Sequence, residues 1–180
     1  MPQGSGFEQA YNAQAAVDMD SMLIIAGHVS QHTNDKKELK PVLDSMEAFP
    51  KDLGSVDALL ADSGYFSEAN VTNCEEQNIT PYIAPNREGH NRSLAERFSE
   101  PPPLPDDADA VMRLRCWLKT VAGKAIYALQ KSTVEPVFGI IKSVLGFDTF
   151  HLRSLESVTG EWTLACIGWN LKRLHTLKRA

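Results

Sequence analysis

Apolar and polar positions alternate imperfectly over residues 8–17 (EQAYNAQAAV), then run nearly unbroken over residues 22–29 (MLIIAGHV). Both stretches read as strands, the second more buried. Residues 18–21 (DMDS) supply turn chemistry between them, so the pair predicts an antiparallel hairpin. The period then changes. Leu39, Val42, Leu43 and Met46 fall on one face of a helix that Asn34 or Asp35 caps and that runs to about Phe49, with Pro50 and Gly54 beyond. Residues 56–61 (VDALLA) form a short apolar strand ending at Asp62. Gly64 allows a sharp turn, and Ser67 caps a helix over 68–77. Residues 79–84 (ITPYIA) read as another short strand, in which Pro81 favours an edge or a first position.

Residues 86–110 are polar and contain the run PPPLP at 101–105, followed by Asp106, Asp107 and Asp109. This reads as a flexible insertion without a core of its own. A helix covers 111–119, another ordered segment runs through 123–131, and a helix follows from about 134 to 145, where Gly146 closes it. A long helix spans 154–177, with Leu155, Val158, Trp162, Ala165, Cys166, Trp169, Leu171 and Leu174 apolar and Lys172, Arg173, Lys178 and Arg179 at its end. Basic residues there suit the helix dipole. The order predicts an α/β fold: a mixed sheet with helices on its faces.

The 180 residues, 43% of them hydrophobic, suffice for one cored domain. No apolar run approaches a membrane span, and the N-terminal residues lack the pattern of a secretory signal. Cys74, Cys116 and Cys166 are widely spaced and form no CxxC pair, as expected of reduced thiols in the cytoplasm. His28, His32, His90, His151 and His175 show no ligand spacing with them, which argues against a zinc protein. The net charge of −5 hides an asymmetry. Residues 1–110 hold 7 Lys/Arg against 19 Asp/Glu, and residues 111–180 hold 11 against 4. A basic surface beside an acidic site would produce that split.

Two carboxylates stand out. Asp62 ends a buried strand before a glycine turn, where open α/β sheets gather functional groups. Asp-Ser-Gly is also ordinary turn chemistry, so a supporting role is the alternative. Glu135 follows Ser132 at capping-box spacing, again a purely structural option, and Pro136 is tolerated in a first helical turn. If one helix covers 131–142, Lys131, Glu135 and Lys142 share a face, although a residue before proline avoids helical geometry. A carboxylate flanked by two lysines suits a site that holds metal and polyanion together.

At these residues the chain resembles a group of bacterial insertion-sequence transposases of the DDE superfamily. The resemblance rests on YNAQAAVD (11–18), LADSGY (60–65), TVEPVFG (133–139) with Lys142, and GEWTLA (160–165). It extends from about residue 6 to 177 and is weakest over 86–118. It implies a ribonuclease H-like fold and DNA transposition by metal-dependent strand cleavage and transfer. Asp62 would be the second catalytic carboxylate and Glu135 the third, both holding metal. Lys142 would contact DNA, and Lys131 stands at a position that is usually basic. Tyr127 lies one residue from the family's tyrosine. The implied cofactor is a pair of Mg²⁺ (or Mn²⁺) ions roughly 3.5–4 Å apart, for which oxygen ligands are suited. The implied partner is double-stranded DNA, at transposon ends and target, with the protein on the bacterial nucleoid.

The family's fold opens with three antiparallel strands, and only two are countable here. The first catalytic Asp would lie just upstream of YNAQAAVD. The expectation is therefore an incomplete, inactive DDE domain, with Asp18 as the substitute carboxylate if it is not simply a turn residue. Two other readings compete. One is a non-catalytic DNA-binding remnant resting on the basic half and on Lys142, Lys172, Arg173, Lys178 and Arg179. The other is a structural or regulatory partner that assembles with full-length transposase through the 154–177 helix. A homo-oligomer is a separate expectation, with no surface assigned to it.

Overall fold

The computed structural model describes residues 10–50, 52, 54–85, 101, 103–105 and 107–179, the side chains of positions 130 and 131 excepted. The start of the first predicted strand, His90 and most of the predicted insertion lie outside the described residues. The chain divides into two compact units, Met1–Phe49 with Lys131–Ala180, and Pro50–Gln130.

In the first unit, β1 (Asn12–Val17) pairs antiparallel with β2 (Ile24–Ser30), and a register shift falls at Ala16/Val17. Asp18 builds the turn between them. Its carboxylate accepts from Ser21 N at 2.8 Å and Ser21 Oγ at 2.5 Å, and those bonds hold its pKa below the usual range. Met22 adopts a left-handed φ of 60°, a costly conformation for a side chain of its size. The helix α1 (Leu39–Glu47) packs against β2 and buries the four predicted residues, Leu39, Val42, Leu43 and Met46. Asn34 is a cap as expected, but it caps a 3-10 turn over Asp35–Lys37 that precedes α1.

The other face of the hairpin carries a core of Ile24, Val29, Val137, Ile141, Val158, Trp162 and Trp169. The last three come from α6 (Leu155–Leu177). A two-stranded hairpin is marginal alone, and α6 grips its backbone as well as its side chains. Trp162 Nε1 donates to the Gln14 carbonyl at 2.9 Å, and Trp169 Nε1 to the Met22 carbonyl at 2.8 Å. The Asn170 amide makes two 2.8 Å bonds, donating to Ile24 O and accepting from Ile24 N. Arg173 Nε donates to Ser21 O at 2.6 Å. Gly27 permits this approach: a Cβ there would sit 3.1 Å from Trp162 Nε1 and 3.2 Å from Gln14 O.

The second unit holds β3 (Ala58–Ala61), α2 (Glu68–Glu76) and β4 (Thr80–Ile83), with β3 and β4 parallel. Ser67 caps α2, accepting from Asn70 N at 3.1 Å. Then come α3 (Ala110–Lys119) and α4 (Val121–Ala128), joined at Thr120, which caps α4. The four strands and the helices α1, α2 and α3 fall close to where the pattern predicts them, whereas α4 occupies a segment for which the pattern predicts no helix, and the single mixed sheet it predicts is not formed among the described residues. Among the described residues, hydrogen bonds join the strands as two pairs.

One element starts earlier than its pattern suggests. The helix α5 runs Gln130–Ser143 with Pro136 inside it, not from about 134 behind a Ser132 cap. Thr133, Val137 and Ile141 repeat every four residues and are all buried. An interior proline costs about 3 kcal/mol, while full burial of each aliphatic side chain contributes about 1.5–3 kcal/mol. The buried stripe therefore carries the helix through the proline.

Two outcomes follow from the first unit. Asn170→Leu keeps the bulk but strands the Ile24 N–H and C=O, so it should destabilise by about 2 kcal/mol in urea unfolding. An unchanged midpoint would show that the amide pair is dispensable. The second concerns Glu38, whose side chain is 1% exposed and lies 2.6 Å from His28 Nε2 and 2.8 Å from His32 Nδ1. Burial pushes its carboxyl up, but hydrogen bonds from His28, His32 and Ser30 outweigh burial and hold it below the ordinary value. The folded form thus prefers the carboxylate more than the unfolded chain does. That stabilisation is full above the ordinary carboxyl pKa and is lost as pH falls through the folded one. Melts between neutral pH and pH ~3 should show an acid-side loss that is smaller in Glu38→Gln.

Candidate functional site

Asp62 stands at the carboxyl end of β3, where the extended chain turns. Its Oδ1 accepts from Gly64 N at 2.6 Å and so caps the 3-10 turn Ser63–Tyr65. Asn70 Nδ2 holds that turn from α2 by donating to Tyr65 O at 2.7 Å. The supporting role weighed for Asp62 is thus present, yet the residue is exposed. Tyr127, on α4 of the same unit, is close enough to feel it. Burial, and then the negative charge of Asp62, raise the Tyr127 phenol above its ordinary pKa.

Glu135 and Lys142 are both exposed on α5. Seven residues apart, they lie two turns along the helix within about 20° of one another. The inward stripe of Thr133, Val137 and Ile141 occupies the opposite side, so packing of that stripe fixes where Glu135 and Lys142 project. Position 131 falls in the first turn of the same helix, which meets the condition for the three positions to share a face. Asp62 belongs to the second unit, and Glu135 and Lys142 to the first.

Among the described residues no three His, Cys, Asp or Glu side chains cluster as a metal site would require. As donors, Asp62 and Glu135 are carboxylate oxygens, the chemistry that a hard divalent cation takes. Asp18 is engaged by Ser21 in its turn. His28 and His32 are engaged by Glu38, a buried network the sequence reading missed. Its one signal was a glutamate directly before an apolar helical stripe. Arg173, grouped with the basic end of α6, is turned onto the hairpin. No helix of the described residues is long and apolar enough to cross a membrane.

Capping and charge at Asp62 can be separated. Asp62→Ala removes the cap and should cost about 1 kcal/mol, whereas Asp62→Asn keeps an acceptor and should cost only a few tenths. In Asp62→Asn the Tyr127 phenol should titrate lower than in the parent, yet still above an ordinary phenol because burial remains. Ultraviolet difference titration reads this, and an unmoved Tyr127 would separate the two residues.

Comparison with curated proteins and with solved structures found no match. The family described as the transposase DDE domain matches residues 2–171, nearly the whole chain. The two exposed carboxylates and the lysine on α5 therefore sit within a transposase domain, and the chain belongs to the transposase DDE domain family.

Proposed function

We propose that the chain contributes to DNA transposition by metal-dependent phosphoryl transfer on a ribonuclease H-like scaffold. The observation that carries this reading is the outward face of α5, where Glu135 and Lys142 project together from a helix seated by its opposite side. DNA transposition and DNA as partner follow from the family. Asp62 and Glu135 would hold the divalent ions that this family uses. Bound there, Mg²⁺ or Mn²⁺ would supply charge neutralisation and activation of the attacking oxygen. The chain's own residues do the rest. Lys142 presents its ammonium group to the phosphate backbone, Lys131 is assigned to DNA binding by its position in the sequence, and the Gly64 amide fixes the direction of the Asp62 carboxylate.

Only two carboxylates are assigned, since Asp18 is committed to its turn. Two do not hold a metal pair as three would, so the 180-residue chain alone is expected to bind DNA without cutting it. The surplus of basic residues over 111–180 favours that second, non-catalytic activity.

The test is Mg²⁺- or Mn²⁺-dependent nicking of a labelled element end. It is run with the 180-residue chain and with an active transposase of the same family carrying residues 55–180 of this chain in place of its own. The chain alone should not cut. The active form should lose at least ~100-fold in Asp62→Asn and in Glu135→Gln. Cleavage that survives both substitutions would overturn the assignment. In parallel, Lys142→Glu should weaken DNA binding at all sequences and lower the salt slope by about 1.

A further inference from the structure

The helix α6 is apolar on two faces. Val158, Trp162 and Trp169 are buried against the hairpin. On the other side Leu164, Ile167, Leu171 and Leu174 are 70%, 48%, 63% and 49% exposed. At about 100° per residue these four fall within about 80° of one another, and their centre lies opposite the buried three. A helix that is hydrophobic all round belongs in an interior. The spacing of three, four and three residues is that of a two-heptad coiled-coil seam.

The ends of the stripe indicate what covers it. It continues through Lys178 at the C-terminal end, and through Gly160 and Glu156 at the N-terminal end, all three exposed. Two copies of α6 laid antiparallel would set Leu164 against Leu174 and Ile167 against Leu171. The same register carries Lys178 of one copy over Gly160 and beside Glu156 of the other, at both ends. A Cβ at Gly160 would meet nothing within 4 Å, so that end is open to a passing side chain. A parallel pair would instead set lysine beside lysine and glutamate beside glutamate.

We propose that this face of α6 is a homodimer seam, occupied by the same helix of a second copy running antiparallel. Such an isologous contact is self-complementary in shape and in charge. The four apolar residues span only about 15 Å of helix. That is less than a standard interface of about 800 Å² per partner needs, so weak, reversible association is expected.

Sedimentation equilibrium of the 180-residue chain from ~1 to ~300 µM reads this directly. The average mass should rise from 19.9 kDa towards twice that value. The double variant Leu164→Glu, Leu171→Glu should stay monomeric with an unchanged melting curve, because both residues are exposed. Lys178→Glu should weaken association at least ~5-fold, and adding Glu156→Lys should restore it to within ~2-fold. A mass fixed at 19.9 kDa throughout would overturn the seam. So would association that survives the double glutamate variant, or a melt collapsed by it in a monomer, which would mean the chain covers its own stripe. Failure of the charge swap to rescue would overturn the antiparallel register.

Discussion

Four side chains of α6 hydrogen-bond the backbone of the β1–β2 hairpin, and the first unit is organised around them. Trp162, Trp169, Asn170 and Arg173 reach backbone atoms about 150 positions earlier in the chain. Three of the four meet the stretch from Ser21 to Ile24, where the chain turns and Met22 takes its left-handed φ. Backbone groups there that would otherwise lack a partner find one in the helix. Trp162 also stacks on Phe138 of α5 at 5.7 Å. The outward direction of Glu135 and Lys142 thus depends on a tryptophan that itself hangs from the carbonyl of Gln14.

Asp62 is held differently. Nothing from a distant part of the chain is needed for its placement: a four-residue strand ends, the carboxylate bonds the amide of Gly64, and Asn70 braces the turn from α2. Local turn chemistry and a functional carboxylate are therefore not alternatives at this position. The cap uses Oδ1 and fixes the group's orientation at the exposed strand end. A substitution that merely removes charge is for that reason more informative here than one that removes the side chain.

The readable parts of this fold are those whose signal is periodic or local. Leu39, Val42, Leu43 and Met46 announce α1, Ser67 announces α2, and the hairpin follows from two apolar stretches around a turn. Asp62 and Glu135 were recognisable from short motifs, and their exposure suits either role considered for them. Polar burial was not readable. Glu38 looks like a surface residue between lysines and an apolar stripe, yet two histidines, ten and six residues earlier, meet it inside. Arg173 looks like part of a basic helix end, yet its guanidinium belongs to the hairpin turn. Such pairings carry no period, because each depends on where another element comes to lie.

The departure at α5 has a further meaning. Proline in a helix interior, directly after Glu135, breaks a local rule that the rest of the chain obeys. Pro136 is exposed, while Thr133 and Val137 on either side of it in the buried stripe are not. Packing can force a helix through a proline only where neighbouring turns are well anchored. Here the anchors are Val137 and Ile141, at 0% and 1% exposure. The missing amide loosens the outward side of the helix, next to the exposed carboxylate, and leaves the inward side intact. Sequences tend to tolerate such a conflict between local and tertiary preference at sites with a task beyond folding. Pro136 belongs to the TVEPVFG segment, so the conflict and the motif mark the same place in the chain.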